Sequence, residues 1–234
     1  LISCLSTITR TGFAYKLDTR LRPSGNAGVL VSSLDTYINY HDSSETWEHQ
    51  ALIKARVVGG IGSTEWFQQV KDELHRAVYE WYPPSDLKDS INHHRHRKEK
   101  ELSRETKHQR NIKEGRGGLL DVEYLTQALQ LKHGRLLPKL QNPKTMEVLR
   151  ELSKNSIIKK QESKVLQKNY LFLRLIENGL RLIYDDSTNL LDYKRIKHTT
   201  ILQFLKHQGY SVKNLSEAVE SATIEIREIY LNYF

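Results

Sequence analysis

FAYKLDTRLRPSGNAG, residues 13–28, sets the reading of the chain. Its opening residues alternate. Phe13, Tyr15, Leu17 and Leu21 fall on one face, with Thr19 the only lapse, and Lys16, Asp18, Arg20 and Arg22 fall on the other. A period of two with aromatic and branched residues predicts a strand over 13–22 with one face on a core. The other face is a row of charges in which Asp18 is the single acid. Same-face neighbours along a strand lie roughly 7 Å apart, so Lys16 and Arg20 flank Asp18. Two readings stay open on spacing alone. One is an edge strand with a solvated basic face, as antiparallel sheets commonly show. The other is a face on which Asp18 holds a divalent cation while the bases meet phosphate oxygens.

Outward from this stretch, residues 1–10 read as the end of a helix stopped by Gly12, and Pro23 and Gly25 end the strand. Val29–Val31 is a short apolar run that predicts a second strand, and Ser32 or Ser33 caps a helix over 34–41. Thr46 opens the next helix, with Trp47, Ala51, Ala55 and Val58 at helical spacing until Gly59, Gly60 and Gly62 end it. Residues 64–82 form an amphipathic helix closed by Pro83-Pro84. Residues 86–110 predict a long helix that is polar nearly all round and bridges between parts. Helices follow at 119–132, 145–152, 159–184 and 197–207, and a last one is capped by Ser216. Glu177 sits on the apolar seam of the 159–184 helix, one turn from Arg174 and Arg181, which predicts a core ion pair.

The loop at Gly115, Gly117 and Gly118, with Lys113 and Arg116, suits an anion at the start of the following helix. It lacks the P-loop spacing, and no strand is expected before it. Asp121 and Glu123 form a close acidic pair, but residues two apart on a helix point about 200° apart and do not chelate one ion together. One of them is left to face a site alone.

The 234 residues carry a net charge of +8, with 38% hydrophobic and 27% charged residues and only five prolines, as suits a soluble helical protein. No apolar run approaches the length of a membrane span. Cys4 is the single cysteine, which excludes an internal disulfide and points to a reducing, cytoplasmic compartment. The first residue is Leu1 and no signal peptide is visible, so the chain reads as a piece of something longer. Residues 93–116 hold nine Lys or Arg against four Glu, a cluster that favours polyanions.

Three segments, YKLDTRLRPSGNAG at 15–28, WEHQALIKAR at 47–56 and NIKEGRGGLLDVEYLTQ at 111–127, resemble the glutamine synthetase adenylyltransferase family, and WEHQALIKARVV is closer to its C-terminal half. The resemblance is firm to about residue 184 and weaker beyond. It implies an α+β, predominantly α-helical fold. Residues 1–62 would be the C-terminal part of a polymerase-β-like nucleotidyltransferase domain, and residues 63–234 a helical bundle. It also implies transfer of AMP from ATP to a tyrosine of glutamine synthetase, with phosphorolytic removal as a second activity. The implied partners are glutamine synthetase, ATP and a regulatory PII protein.

The family's site uses three carboxylates and two Mg2+ ions, which activate the attacking oxygen and neutralise charge at phosphorus. Asp18 matches the third carboxylate and is the implied catalytic residue and metal ligand. The first two come from an Asp-x-Asp pair behind a Gly-Ser motif, N-terminal to the strand. Gly62-Ser63 has no such pair after it, and Asp185-Asp186 is adjacent rather than alternate, so the chain carries one third of the metal site. Lys16, Arg20, Arg22, Lys54 and Arg56 are the implied nucleotide and phosphate ligands. Two other readings compete: a uridylyltransferase of the same superfamily, and a basic helical module binding nucleic acid. The 93–116 cluster favours the latter, although it has little aromatic interleaving for base stacking.

Overall fold

A computed structural model describes residues 2–10, 12, 17–184, 188–194 and 198–234. It is predominantly helical, with a small two-stranded sheet among these residues. The N-terminal region contains three short helices, α1 (Ile2–Ser6), α2 (Leu34–His41) and α3 (Thr46–Leu52). The Ser33 hydroxyl caps α2 by accepting from the Thr36 N–H, as expected of that residue. Helix α4 (Thr64–His75) runs into a π-helical turn, Arg76–Glu80. Then come α5 (Leu87–Leu102), β1 (Gln109–Asn111), α6 (Leu119–His133), α7 (Thr145–Lys154) and α8 (Lys160–Tyr184). Strand β2 (Leu190–Asp192), α9 (His198–His207) and α10 (Leu215–Leu231) complete the chain. Asn214, rather than Ser216, caps α10.

The core belongs to the helices. Among the described residues its first buried apolar side chain is Ile53, and it continues through Ile91, Val122, Leu149, Leu173 and Tyr230. Helix α8 packs against α7, α9 and α10, and α6 lies between α5 and α10. On the α8 seam Glu177 is fully buried, with its two oxygens 2.7 Å from Arg174 and from Arg181, so the expected core ion pair forms.

The N-terminal expectation changes. Residues 13–16, which begin the expected strand, lie outside the described residues, as do Asp185 and Asp186. The described remainder, 17–22, is irregular, and so is Val29–Val31. Leu21 is 78% exposed, so its face has no core to cover. Period-two patterning marks a segment suited to a sheet, but a strand also needs a neighbour for its backbone N–H and C=O groups. No strand pairs with 17–31 among the described residues. Here Arg22 supplies the partners instead. Its guanidinium donates to the carbonyls of Thr19 (2.5 Å), Gly28 (3.1 Å) and Asn26 (3.4 Å), winding the segment into a loop. Gly28 is required in that loop, because a Cβ there would fall 1.9 Å from the Pro23 carbonyl oxygen.

The expected 86–110 helix stops at Leu102, and β1 follows, directly before the glycine loop. Strand β1 pairs antiparallel with β2 in the register Gln109 with Asp192, Arg110 with Leu191 and Asn111 with Leu190. The expectation of no strand before the loop is therefore corrected. It failed because β1 is three polar residues long, too short and too hydrophilic for a periodic signal. Nor is α5 only a solvated bridge, since it buries Leu87, Ile91 and the whole of Arg95. Several cations of the 93–116 cluster are paired within the chain: Arg97 with Glu101, Arg110 with Glu105, and Lys113 with Glu114.

Candidate active-site cleft

The segment 47–56 and the Arg22 loop meet in a cleft of about 390 Å³. Leu21, Arg22 and Pro23 line it from the loop, Tyr37 and His41 from α2, and Trp47 and Lys54 from the 47–56 segment. Helix α3 presents this face because its start is capped, at Glu45 and the cleft-lining Glu48, and its other side is anchored at His49. Glu45 and Glu48 form a capping box at its start, with the Glu45 N–H donating to Glu48 Oε2 at 3.0 Å. The Tyr40 hydroxyl also donates to Glu48. His49, buried, places Nδ1 2.6 Å from the Ala77 carbonyl and stacks on Trp81 with ring centroids 4.0 Å apart. A carbonyl only accepts, so Nδ1 carries the proton and Nε2 is left to meet the Ser44 hydroxyl at 3.1 Å. Burial holds the His49 imidazole below its ordinary pKa, so it is neutral there.

Lys54 lies two residues beyond the end of α3, where a cation suits the helix dipole. Its ammonium is 3.7 Å from Glu123 on α6, whose carboxylate also accepts from the Tyr170 hydroxyl at 2.8 Å. Of the acidic pair on α6, Glu123 is thus the one that faces the cleft residues, and Asp121 turns into the core. Asp121 is fully buried. Its Oδ1 accepts from Arg95 Nε at 2.6 Å, and its Oδ2 accepts from Arg227 Nη1 at 3.0 Å and from the Gly117 N–H at 2.9 Å.

This arrangement settles the glycine loop. The backbone N–H groups of Gly115, Gly117, Gly118, Leu119 and Leu120 donate to Asn111 O, Asp121 Oδ2, Gly115 O, Ile112 O and Lys113 O respectively. These five N–H donors are occupied by the chain's own acceptors.

The sequence-derived site residues divide. Arg22 and Lys54 share the cleft. Arg56 lines a neighbouring groove of about 320 Å³ with Trp66, Val70 and Leu74. Asp18 and Arg20 stand outside both, on the exposed segment before the loop. There Arg20 Nε lies 2.9 and 3.0 Å from the two Asp18 oxygens, and Nη2 lies 2.6 Å from Oδ2. Hydrogen bonding and charge from Asp18 push the Arg20 pKa further up. Lys16 lies outside the described residues. Among the described residues no group of three His, Cys, Asp or Glu is placed to hold a metal ion. With both Asp18 oxygens facing Arg20, these residues do not by themselves fit a magnesium site.

Sequence reading missed the contacts between the second and third motifs. Gln50 Nε2 donates to Gln127 Oε1 at 2.8 Å, beside the Lys54–Glu123 pair. The signal was present as two equal four-residue spacings, 50 and 54 in one motif and 123 and 127 in the other.

Residues 1–72 match the family model described as glutamate-ammonia ligase adenylyltransferase. Residues 85–234 match the model described as GlnD PII-uridylyltransferase. A Pasteurella multocida protein named bifunctional glutamine synthetase adenylyltransferase/adenylyl-removing enzyme is 34% identical over 202 residues, 84% of this chain and 20% of its own length. Over most of its length the chain is similar to members of the glutamine synthetase adenylyltransferase family. Other proteins with that bifunctional name come from Alteromonas mediterranea, 32% identical over 90% of this chain and 21% of the relative, and Mannheimia succiniciproducens, 33% over 82% and 20%. The chain therefore spans about a fifth of the length of these family members. Two of the three family-like motifs, 15–28 and 47–56, fall within the N-terminal match, and the third, 111–127, falls within the second. No helix among the described residues is long and apolar enough to cross a membrane.

Proposed function

We propose that the chain is part of an adenylyltransferase that moves AMP from ATP to a tyrosine of glutamine synthetase and, in the complete protein, also removes it. The observation that carries this reading is the match of residues 1–72 to the adenylyltransferase model, since that segment holds both the D-x-R-L-R-P run and WEHQALIKAR. The bifunctional names of the relatives along most of the chain support it. In this reading residues 1–62 belong to the nucleotidyltransferase part and residues 63–234 to the helical bundle. Arg22 and Lys54 meet nucleotide phosphate in their shared cleft, and Lys16, Arg20 and Arg56 are further phosphate ligands. Asp18 is one carboxylate of a magnesium site whose other ligands the described residues do not supply. To serve there it must exchange the Arg20 guanidinium for the cation. A PII protein regulates the complete enzyme, and the setting is cytoplasmic, in keeping with Cys4 as the single cysteine.

The match of residues 85–234 favours a second reading, a PII-uridylyltransferase. The two separate on substrate. The complete protein, given labelled ATP or UTP with glutamine synthetase or PII, is expected to label glutamine synthetase from ATP. Labelling of PII from UTP alone would overturn the first reading in favour of the second.

A further inference from the structure

The segment 47–56 is fastened to the helical body by two polar contacts of matched spacing. Gln50 and Lys54 stand four apart on one side, and Glu123 and Gln127 stand four apart on the other. Gln50 pairs with Gln127 at 2.8 Å and Lys54 with Glu123 at 3.7 Å. Ascending one segment descends the other, so the two run antiparallel here and the contacts form two rungs. Gln50 is buried between them, and the Glu123 carboxylate is largely covered while the Lys54 side chain is nearly half exposed.

Glu123 is itself held from behind. The Tyr170 hydroxyl, on α8, donates to the same Oε1 that faces Lys54. Burial, with the neighbouring Glu123 charge, pushes the Tyr170 phenol well above its ordinary pKa, so it stays a donor through the neutral range. A carboxylate fixed this way fixes the ammonium beside it. Lys54 has a long, flexible stem, and an unrestrained ammonium would spread over many rotamers.

We infer that Glu123 is a positioning residue: backed by Tyr170, it holds the Lys54 ammonium at the wall of the cleft that also contains Arg22, so that two cations face a phosphate-bearing ligand together. The inference rests on the proposed function for the nature of that ligand. It adds that the helical bundle, through α6 and α8, sets the phosphate-facing geometry of a motif lying in the adenylyltransferase-like part of the chain.

The test uses the complete adenylyltransferase carrying Lys54→Met, Glu123→Gln or both, with KM for ATP, kcat for AMP transfer and the thermal midpoint measured for each. Glu123→Gln keeps an acceptor for Tyr170 and removes the charge that holds Lys54. It is expected to raise KM for ATP about fivefold with kcat within about twofold, the signature of lost ground-state binding. The double variant is expected to be no worse than Lys54→Met alone, because residues acting through one contact are not additive. An unchanged KM in Glu123→Gln beside a raised KM in Lys54→Met overturns the positioning role and leaves the phosphate role of Lys54 standing. An unchanged KM in Lys54→Met overturns both. A lowered thermal midpoint with unchanged KM reduces Glu123 to a packing contact and likewise overturns the inference. Should Glu123→Gln fold poorly, Tyr170→Phe leaves the ion pair but releases its backing, and a KM for ATP that stays at the parent value in that variant overturns the inference.

Discussion

Arg95 and Asp121 face each other with neither side chain exposed, Arg95 Nε 2.6 Å from Asp121 Oδ1. Around this pair, Arg227 bridges Asp121 and Glu99, and Arg95 Nη2 donates to the Gly115 carbonyl at 2.7 Å. Two guanidiniums and two carboxylates thus join α5, α6, α10 and the glycine loop. Removing one partner leaves a buried charge uncompensated, so Asp121→Asn is expected to cost about 3–5 kcal/mol of stability. Urea denaturation of the 234-residue chain measures it, and a loss below about 1 kcal/mol would show that the network is not a stabilising element.

Gly117 meets the last helix without a side chain. Its φ is +71°, and a Cβ there would lie 1.8 Å from the Thr223 carbonyl oxygen. Both the backbone conformation and the contact exclude a larger residue. Gly117→Ala is expected to destabilise by about 3 kcal/mol or more, with the greatest loss of amide protection in α10. Hydrogen exchange that is unchanged in α10 would contradict this placement.

Burial lowers the pKa of four histidines, His41, His49, His94 and His133, below the ordinary 6.5. The unfolded chain then binds protons before the folded chain does as pH falls. Their contribution to stability is complete above about pH 6.5 and declines as pH drops through that value toward the folded-state pKa values. Thermal midpoints from pH 8 to pH 5 are expected to be flat and then to fall. His49→Gln should reduce the slope of the falling limb. A midpoint that rises on acidification would contradict the buried, neutral state.

Asp18 offers a test that stability alone cannot decide. Its ion pair with Arg20 is open to solvent, with side-chain exposures of 54% and 73%, so screening leaves it little structural weight. Asp18→Asn is expected to leave the thermal midpoint of the complete enzyme unchanged while cutting AMP transfer by orders of magnitude. Transfer per folded molecule equal to that of the parent enzyme would end the assignment of Asp18 to the metal site.

The helices were legible where an apolar stripe repeats over several turns, as in α8 and α10, or where a cap marks the start, as at Ser33. The Glu177 pair was legible because its partners lie one turn away on the same helix. The Asp121 network was not. Arg95 sits in a stretch so rich in charge that nothing local distinguishes the one buried guanidinium from its solvated neighbours, and Arg227 is 106 residues from the carboxylate it meets. Strand patterning at 17–22 was misleading for the opposite reason. The local signal is real, but a sheet is a non-local structure, and the described residues hold no neighbour for it. Of the candidate site residues, Arg22 and Lys54 line one cleft, whereas the tie from Lys54 to Glu123 depends on the meeting of two segments about seventy residues apart that spacing alone did not place.

The position of Arg227 also fixes an order of events in synthesis. Arg95, Asp121 and the glycine loop leave the ribosome long before α10. Until that helix is made, Asp121 lacks one of its two cations and Gly117 lacks the wall formed by Thr223. A chain terminated before Leu215 would therefore carry every family-like motif yet have its loop unsealed and the facing surface of α8 uncovered. The seventeen residues of α10 thus complete the surroundings of the motif at 111–127, whose Asp121 is made 106 residues before the Arg227 that it meets.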